Sequence, residues 1–141
     1  MRMIVGLDGM APVARAAGMR DYEPSRGSVW GMTRTSAHDQ AILFWRLERL
    51  IPPRHRAFAL RLLREIVPPQ RWGVGEAAPR GWRLYFKGGW GSGRGLVDDQ
   101  GALLVKGRRR VALGITTVAN GSHTTGKATL RGVATRLLRG L

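Results

Sequence analysis

The 141-residue chain has no cysteine, which excludes disulfides and thiolate metal centres but leaves the redox compartment open, since both kinds tolerate cysteine-free proteins. It has no apolar run of eighteen residues, so no segment reads as a membrane-spanning helix. Histidine is scarce: His38, His55 and His123 are too scattered in sequence to predict a metal centre, and no metal or cofactor is expected. The opening apolar stretch, Met1 to Leu7, is broken at once by Asp8. That is too short for a signal peptide, so the sequence as written is expected to be cytoplasmic and not exported. Acid is also scarce, with 9 Asp and Glu against 24 Lys and Arg and a formal net charge of +15. With 43% hydrophobic residues, the length predicts one soluble globular domain.

A positive field of this size attracts nucleic acid and anionic surfaces through steering and counterion release. Arginines, however, are spread over the whole chain, and Lys106 to Arg110 is the one dense cluster. It falls between two strand candidates and contains Gly107, the pattern of a solvated hairpin tip. A basic protein binding nucleic acid through this tip is one alternative function, without a recognised nucleic-acid motif behind it.

Along the chain, Asp8 to Met19 has helical spacing, with Met10, Val13, Ala14 and Ala17 on one face and Gly18 as a C-cap. A Gly-, Ser- and Pro-containing loop follows. Ser36 then reads as an N-cap, answered three residues on by Asp39 in the manner of a capping box. The helix it opens should present Ile42, Leu43, Leu47, Leu50 and Ile51 and stop at Pro52-Pro53. A second helix is predicted from Pro53 to about Ile66, and the spacing of Gly73, Gly75, Pro79 and Gly81 predicts a loop. Trp82 to Phe86 alternates apolar residues with Arg83 and Tyr85, the period-2 signal of a half-buried strand. It delivers Lys87 onto the pair Gly88-Gly89, where another backbone can approach closely. Gly95 to Leu104 and Arg109 to Thr117 read as further strands, and Gly126 to Leu141 as a closing helix. Trp30, Trp45, Trp72 and Trp82 read as core or loop anchors, because a small domain needs the apolar area they bury.

The triplet Lys87-Gly88-Gly89 on a strand resembles the Lys-Thr/Ser-Gly strand that walls the active site of the serine β-lactamase and penicillin-binding family. The order of the other segments extends the likeness to class A β-lactamases over nearly the whole chain: Ala16 to Asp21, Trp30 to Ser36, a helix pair, Arg71-Trp72-Gly73, then the Lys87 strand. The resemblance implies an α/β (α+β) partial fold: a three-stranded antiparallel sheet with a C-terminal helix, over 81–141, and a small helical lobe with loops, over 1–80, in one truncated domain. The family's Ser-x-x-Lys and Ser-Asp-Asn signatures are absent. None of Ser25, Ser28, Ser36, Ser92 or Ser122 has a lysine three residues later or an asparagine two later. What would be missing is an N-terminal helix, two strands of the same sheet, and the part of the helical domain that carries the nucleophile.

By that resemblance, Lys87 holds its cation toward a substrate carboxylate and tunes proton transfers beside the nucleophile. The Trp90 main-chain N–H contributes to an oxyanion hole, and Gly88 and Gly89 line the edge that pairs with substrate. Gly88 stands where the family carries a hydroxyl residue that contacts the carboxylate. Asp21-Tyr22-Glu23-Pro24 is similar to the loop whose glutamate activates the deacylating water, making Glu23 a possible general base. The substrate so implied is a β-lactam or other acyl compound, and the partner is a complementing N-terminal segment or a second copy, because a sheet lacking outer strands exposes an edge. Without a nucleophile the chain is expected to be inactive alone. A second alternative is phosphate binding: Gly121 to Lys127 has nearly P-loop spacing, though Ala128 replaces the hydroxyl that would bind magnesium.

Overall fold

The computed structural model describes residues 9–25, 30–91 and 97–141. The expected helix start at Asp8 and strand start at Gly95 lie outside the described residues. Within them, helix α1 (Ala11–Ala17) ends at Gly18, whose φ of 73° is the left-handed cap expected from its sequence position. Helices α2 (Ala37–Leu50) and α3 (Pro53–Arg64) follow, separated where Pro52 removes an amide donor.

The expected loop before the sheet contains more order than its glycines suggest. A 3-10 turn spans Pro68–Gln70, and a single helical turn, α4 (Val74–Ala77), follows. Buried Gln100 organises this segment by accepting the Val74 N–H at 2.7 Å and donating to the Trp72 carbonyl at 2.9 Å. Strands β1 (Arg83–Trp90), β2 (Asp98–Lys106) and β3 (Arg109–Thr117) then form an antiparallel sheet in the order β1-β2-β3. Gly107, at φ 58°, makes the tight turn between β2 and β3.

The chain closes with helix α5 (His123–Leu137). It begins three residues before the predicted Gly126, because the Ser122 side chain accepts the Thr125 N–H at 3.1 Å and caps it. Residues 123–127, the heart of the P-loop-like stretch, are therefore wound into the first turns of a helix.

Period-2 alternation sends side chains to the two faces of the sheet, and each face is covered. Leu84, Phe86, Ala102, Leu104, Leu113 and Ile115 pack under Leu130 and Ala134 of α5 and its C-cap Leu138, together with Trp72 and Val74. Tyr85 and Leu103 meet Phe44 of α2 on the other face, flanked by Leu60 and Leu63 of α3. Each large side chain removed from water here contributes roughly 1.5–3 kcal/mol. β2, between two strands and two helical layers, is accordingly apolar almost throughout after its first residues.

Candidate active site

Lys87, Gly88, Gly89 and Trp90 form the last half of β1, which pairs with β2 on one side and, among the described residues, is an edge of the sheet on the other. Gly91 donates its N–H to Val97 at 2.9 Å, so residue 91 faces β2. In an antiparallel ladder neighbouring residues face opposite ways. The main-chain groups of Gly88 and Trp90 therefore point away from the sheet, off its edge. The Lys87 ammonium folds back onto the same edge, donating to the Gly88 carbonyl, and lies 5.8 Å from the centre of the Trp90 ring. A cation and an outward N–H thus lie a few residues apart on an exposed strand end.

Both glycines are constrained by neighbours. A Cβ on Gly88 would stand 3.1 Å from the Trp72 ring, and one on Gly89 would stand 2.6 Å from an Asp99 carboxylate oxygen. Gly88, the middle residue of the triplet, is thus packed against an indole.

Two acids that sequence reasoning passed over belong to this strand end. Asp99 pairs with Gly89 and so shares the Lys87 face of the sheet. Burial raises its pKa above the ordinary carboxylate value, and the Asp98 charge adds to the rise, while Lys87 and the Gly89 N–H offset part of it. A raised folded-state pKa means that the fold favours the protonated form. Its stabilising contribution is full below the unfolded value of about 3.9 and is lost as pH rises through the folded value. Asp99→Asn is therefore expected to raise the thermal midpoint at pH 7 and to leave it unchanged at pH 3; a variant less stable than the parent at pH 7 would contradict this.

Asp98, on the opposite face, is buried with both oxygens engaged. One meets His123 Nδ1, and the other accepts from Asn120 Nδ2 at 2.9 Å. The His123 ring in turn touches Trp72 and Trp90, with centroids 5.4 and 5.8 Å away. The Trp90 indole at the edge is thereby tied through His123 to a buried carboxylate. The sequence signal was the run Asp98-Asp99-Gln100, three polar residues opening an otherwise apolar strand.

The other expected residues are held by partners of their own. Glu23 forms an isolated bridge with Arg34, through main-chain bonds of 3.0 and 2.9 Å, and its half-exposed carboxylate lies 3.7 Å from the same arginine. Asp39 does not complete a capping box. Ser36 caps α2 by accepting the Asp39 N–H at 3.2 Å, but the Asp39 carboxylate is buried and accepts the N–H groups of Arg20 and Asp21, each at 2.8 Å. At the basic tip, Arg110 is held by Glu48 at 2.7 Å and stands over Trp45, and Arg109 stands over Trp82. Half of Trp45 is thus exposed beside Arg110, whereas Trp72 and Trp82 are buried.

The sequence profile of the beta-lactamase enzyme family matches residues 1–141. The chain belongs to that family. Among solved structures, a class A beta-lactamase from Mycobacterium abscessus superposes with a TM-score of 0.79 at 18% identity, covering 98% of this chain and 56% of that one. A beta-lactamase from Sphaerobacter thermophilus matches with a TM-score of 0.73 at 21% identity, over 96% of this chain and 53% of that one. A protein designated PBP-A matches with 0.72 at 17%, over 94% and 50%. The chain thus spans about half the length of these beta-lactamase-like structures and shares the fold of that half. No curated protein matches it by sequence.

Proposed function

We propose that this member of the beta-lactamase family supplies the substrate-edge wall of an acyl-transfer site and does not turn over substrate by itself. The reading is carried by one observation: β1 presents the Lys87 ammonium and the outward Trp90 N–H on the same open edge. An acyl substrate laid along that edge would pair with the Gly88 and Trp90 main chain. The N–H of Trp90 would stabilise the oxyanion that develops on the attacked carbonyl, and Lys87 would attract a substrate carboxylate. With no side chain at Gly88 to contact that carboxylate, Lys87 bears its recognition. The acyl compound is a β-lactam, an amide or an ester.

Attack on the carbonyl needs an activated nucleophile, and the sequence contains no Ser-x-x-Lys. The purified chain is expected to hydrolyse neither a chromogenic cephalosporin nor a simple ester. Turnover that persists through repeated purification and disappears in Lys87→Ala would overturn the proposal of inactivity. The outer edge of β3, unpaired among the described residues, is where a complementing strand or a second copy would add. Sedimentation of the same preparation tests this, since a monodisperse monomer at high concentration counts against it.

A further inference from the structure

We propose that the cleft between the 68–76 segment and the first half of α5 binds a phosphorylated small molecule. Arg71, Lys127 and Arg131 line it together with Trp72, Gly75 and Glu76. Lys127 and Arg131 are four residues apart on α5, so their side chains share one face of the helix. Arg71 reaches the cleft from the opposite wall. Its Nη1 donates to the Arg64 carbonyl at 3.0 Å, and its guanidinium stands 5.5 Å from the Phe86 ring centre, so it is already oriented.

Among the described residues, none of the three cations forms an ion pair. The arginines that form ion pairs among the described residues are Arg34, Arg64 and Arg110. Glu76, the one acid on the cleft wall, accepts the Gly73 N–H at 3.2 Å at the start of α4. Three cations against one carboxylate leave the cleft with an excess of positive charge, and an anion entering it relieves their mutual repulsion. Cations arriving from two walls suit a group carrying nearly two charges on three acceptor oxygens, which is a phosphate rather than a carboxylate. Trp72 and Gly75 supply an apolar surface for the rest of the ligand.

Lys127 is the lysine of the P-loop-like stretch, but here the phosphate would be met by side chains across a cleft and not by a backbone cradle. The cleft also lies on the α5 face of the sheet, opposite the face from which Lys87 and Asp99 project. Trp72 is shared, since it lines the cleft and packs against Gly88 and Trp90, but the inference rests on the cleft's own cations and not on the acyl-transfer reading.

Titrating the chain with sodium tripolyphosphate in chloride buffer, followed by amide NMR, tests it. Saturable shifts confined to residues 71–76 and 124–131 are expected. The double variant Lys127→Ala/Arg131→Ala, two helix-compatible changes, should bind about tenfold more weakly. Lys106→Ala/Arg108→Ala, which removes the same charge at the β2–β3 turn, should bind as the parent does. Equal weakening in both double variants, shifts spread over the whole basic surface, or no saturable binding would overturn the proposal. So would a short single-stranded DNA that binds more tightly than tripolyphosphate and is indifferent to Lys127 and Arg131, since that would assign the charge to nucleic acid.

Discussion

Gly114→Ala is expected to lower the unfolding midpoint by about 10 °C, equivalent to about 3 kcal/mol for a domain of this size. Gly114 lies on β3 opposite Gly101 of β2, and together they let the first turn of α2 come down onto the sheet. A Cβ at Gly114 would overlap the main-chain carbonyl oxygen of Ala37 and crowd the Ala41 amide. Backbone in a helix cannot rotate aside as a side chain does, so α2 would have to lift from β3. At Gly101 the obstacle is the Phe44 ring, which can shift, and Gly101→Ala should cost less. Gly31→Ala, with nothing within 4 Å of the added carbon, should change stability by no more than about 0.5 kcal/mol. Thermal unfolding of the three variants checks the order; a Gly114 variant as stable as the Gly31 variant would refute this packing of α2.

The second large effect is expected at Asp39. Its buried carboxylate accepts two main-chain N–H groups from Arg20 and Asp21, nineteen and eighteen residues earlier, and pins that segment to the start of α2. Ser36 adds a bond from its hydroxyl to Asp21 Oδ2 at 2.6 Å. Asp39→Ala leaves both amides without an acceptor and should cost about 2–3 kcal/mol, read as a lower urea midpoint with the slope unchanged. The cost stays below that of fully buried donors because Arg20 and Asp21 are near the surface, where water can replace the carboxylate. Asp39→Asn should be nearly as damaging, since an amide presents one acceptor oxygen where the site needs two. An Asn variant indistinguishable from the parent would show that one of the two bonds carries no energy.

Much of this architecture was legible from residue order, and the failures share a cause. β3 was predicted with its observed limits because alternation and a glycine turn bound it on one side and polar residues on the other. β1 was clear for the same reason. Glycine misled at two places. The spacing places Gly126 at the start of the last helix, whereas it lies inside α5, and glycine stands there because a Cβ would collide with the buried Asp98 carboxylate. Gly75 was read as loop and sits within α4, where a side chain would press on Phe86 at 3.1 Å. In both, a tertiary contact set the residue type, and local spacing holds no trace of it. The same applies to Asp39, whose capping-box position was visible but whose carboxylate is taken by residues distant in sequence. At the candidate site, Lys87 and its glycines were found from a contiguous strand motif. Asp98, Asp99 and His123 were not, because they meet that strand only through β-pairing and the docking of α5.

The open edge of β1 is best tested by amide hydrogen exchange across its last residues. Gly88 and Trp90, whose N–H groups point off the sheet, should exchange rapidly, while Gly89 and Gly91, which face β2, should be protected. Protection of Gly88 and Trp90 with rapid exchange at Gly89 and Gly91 would place the register one residue out and remove the Trp90 N–H from the edge. Equal protection of all four would mean that the edge is covered, and the proposed acyl-transfer wall would lose its opening.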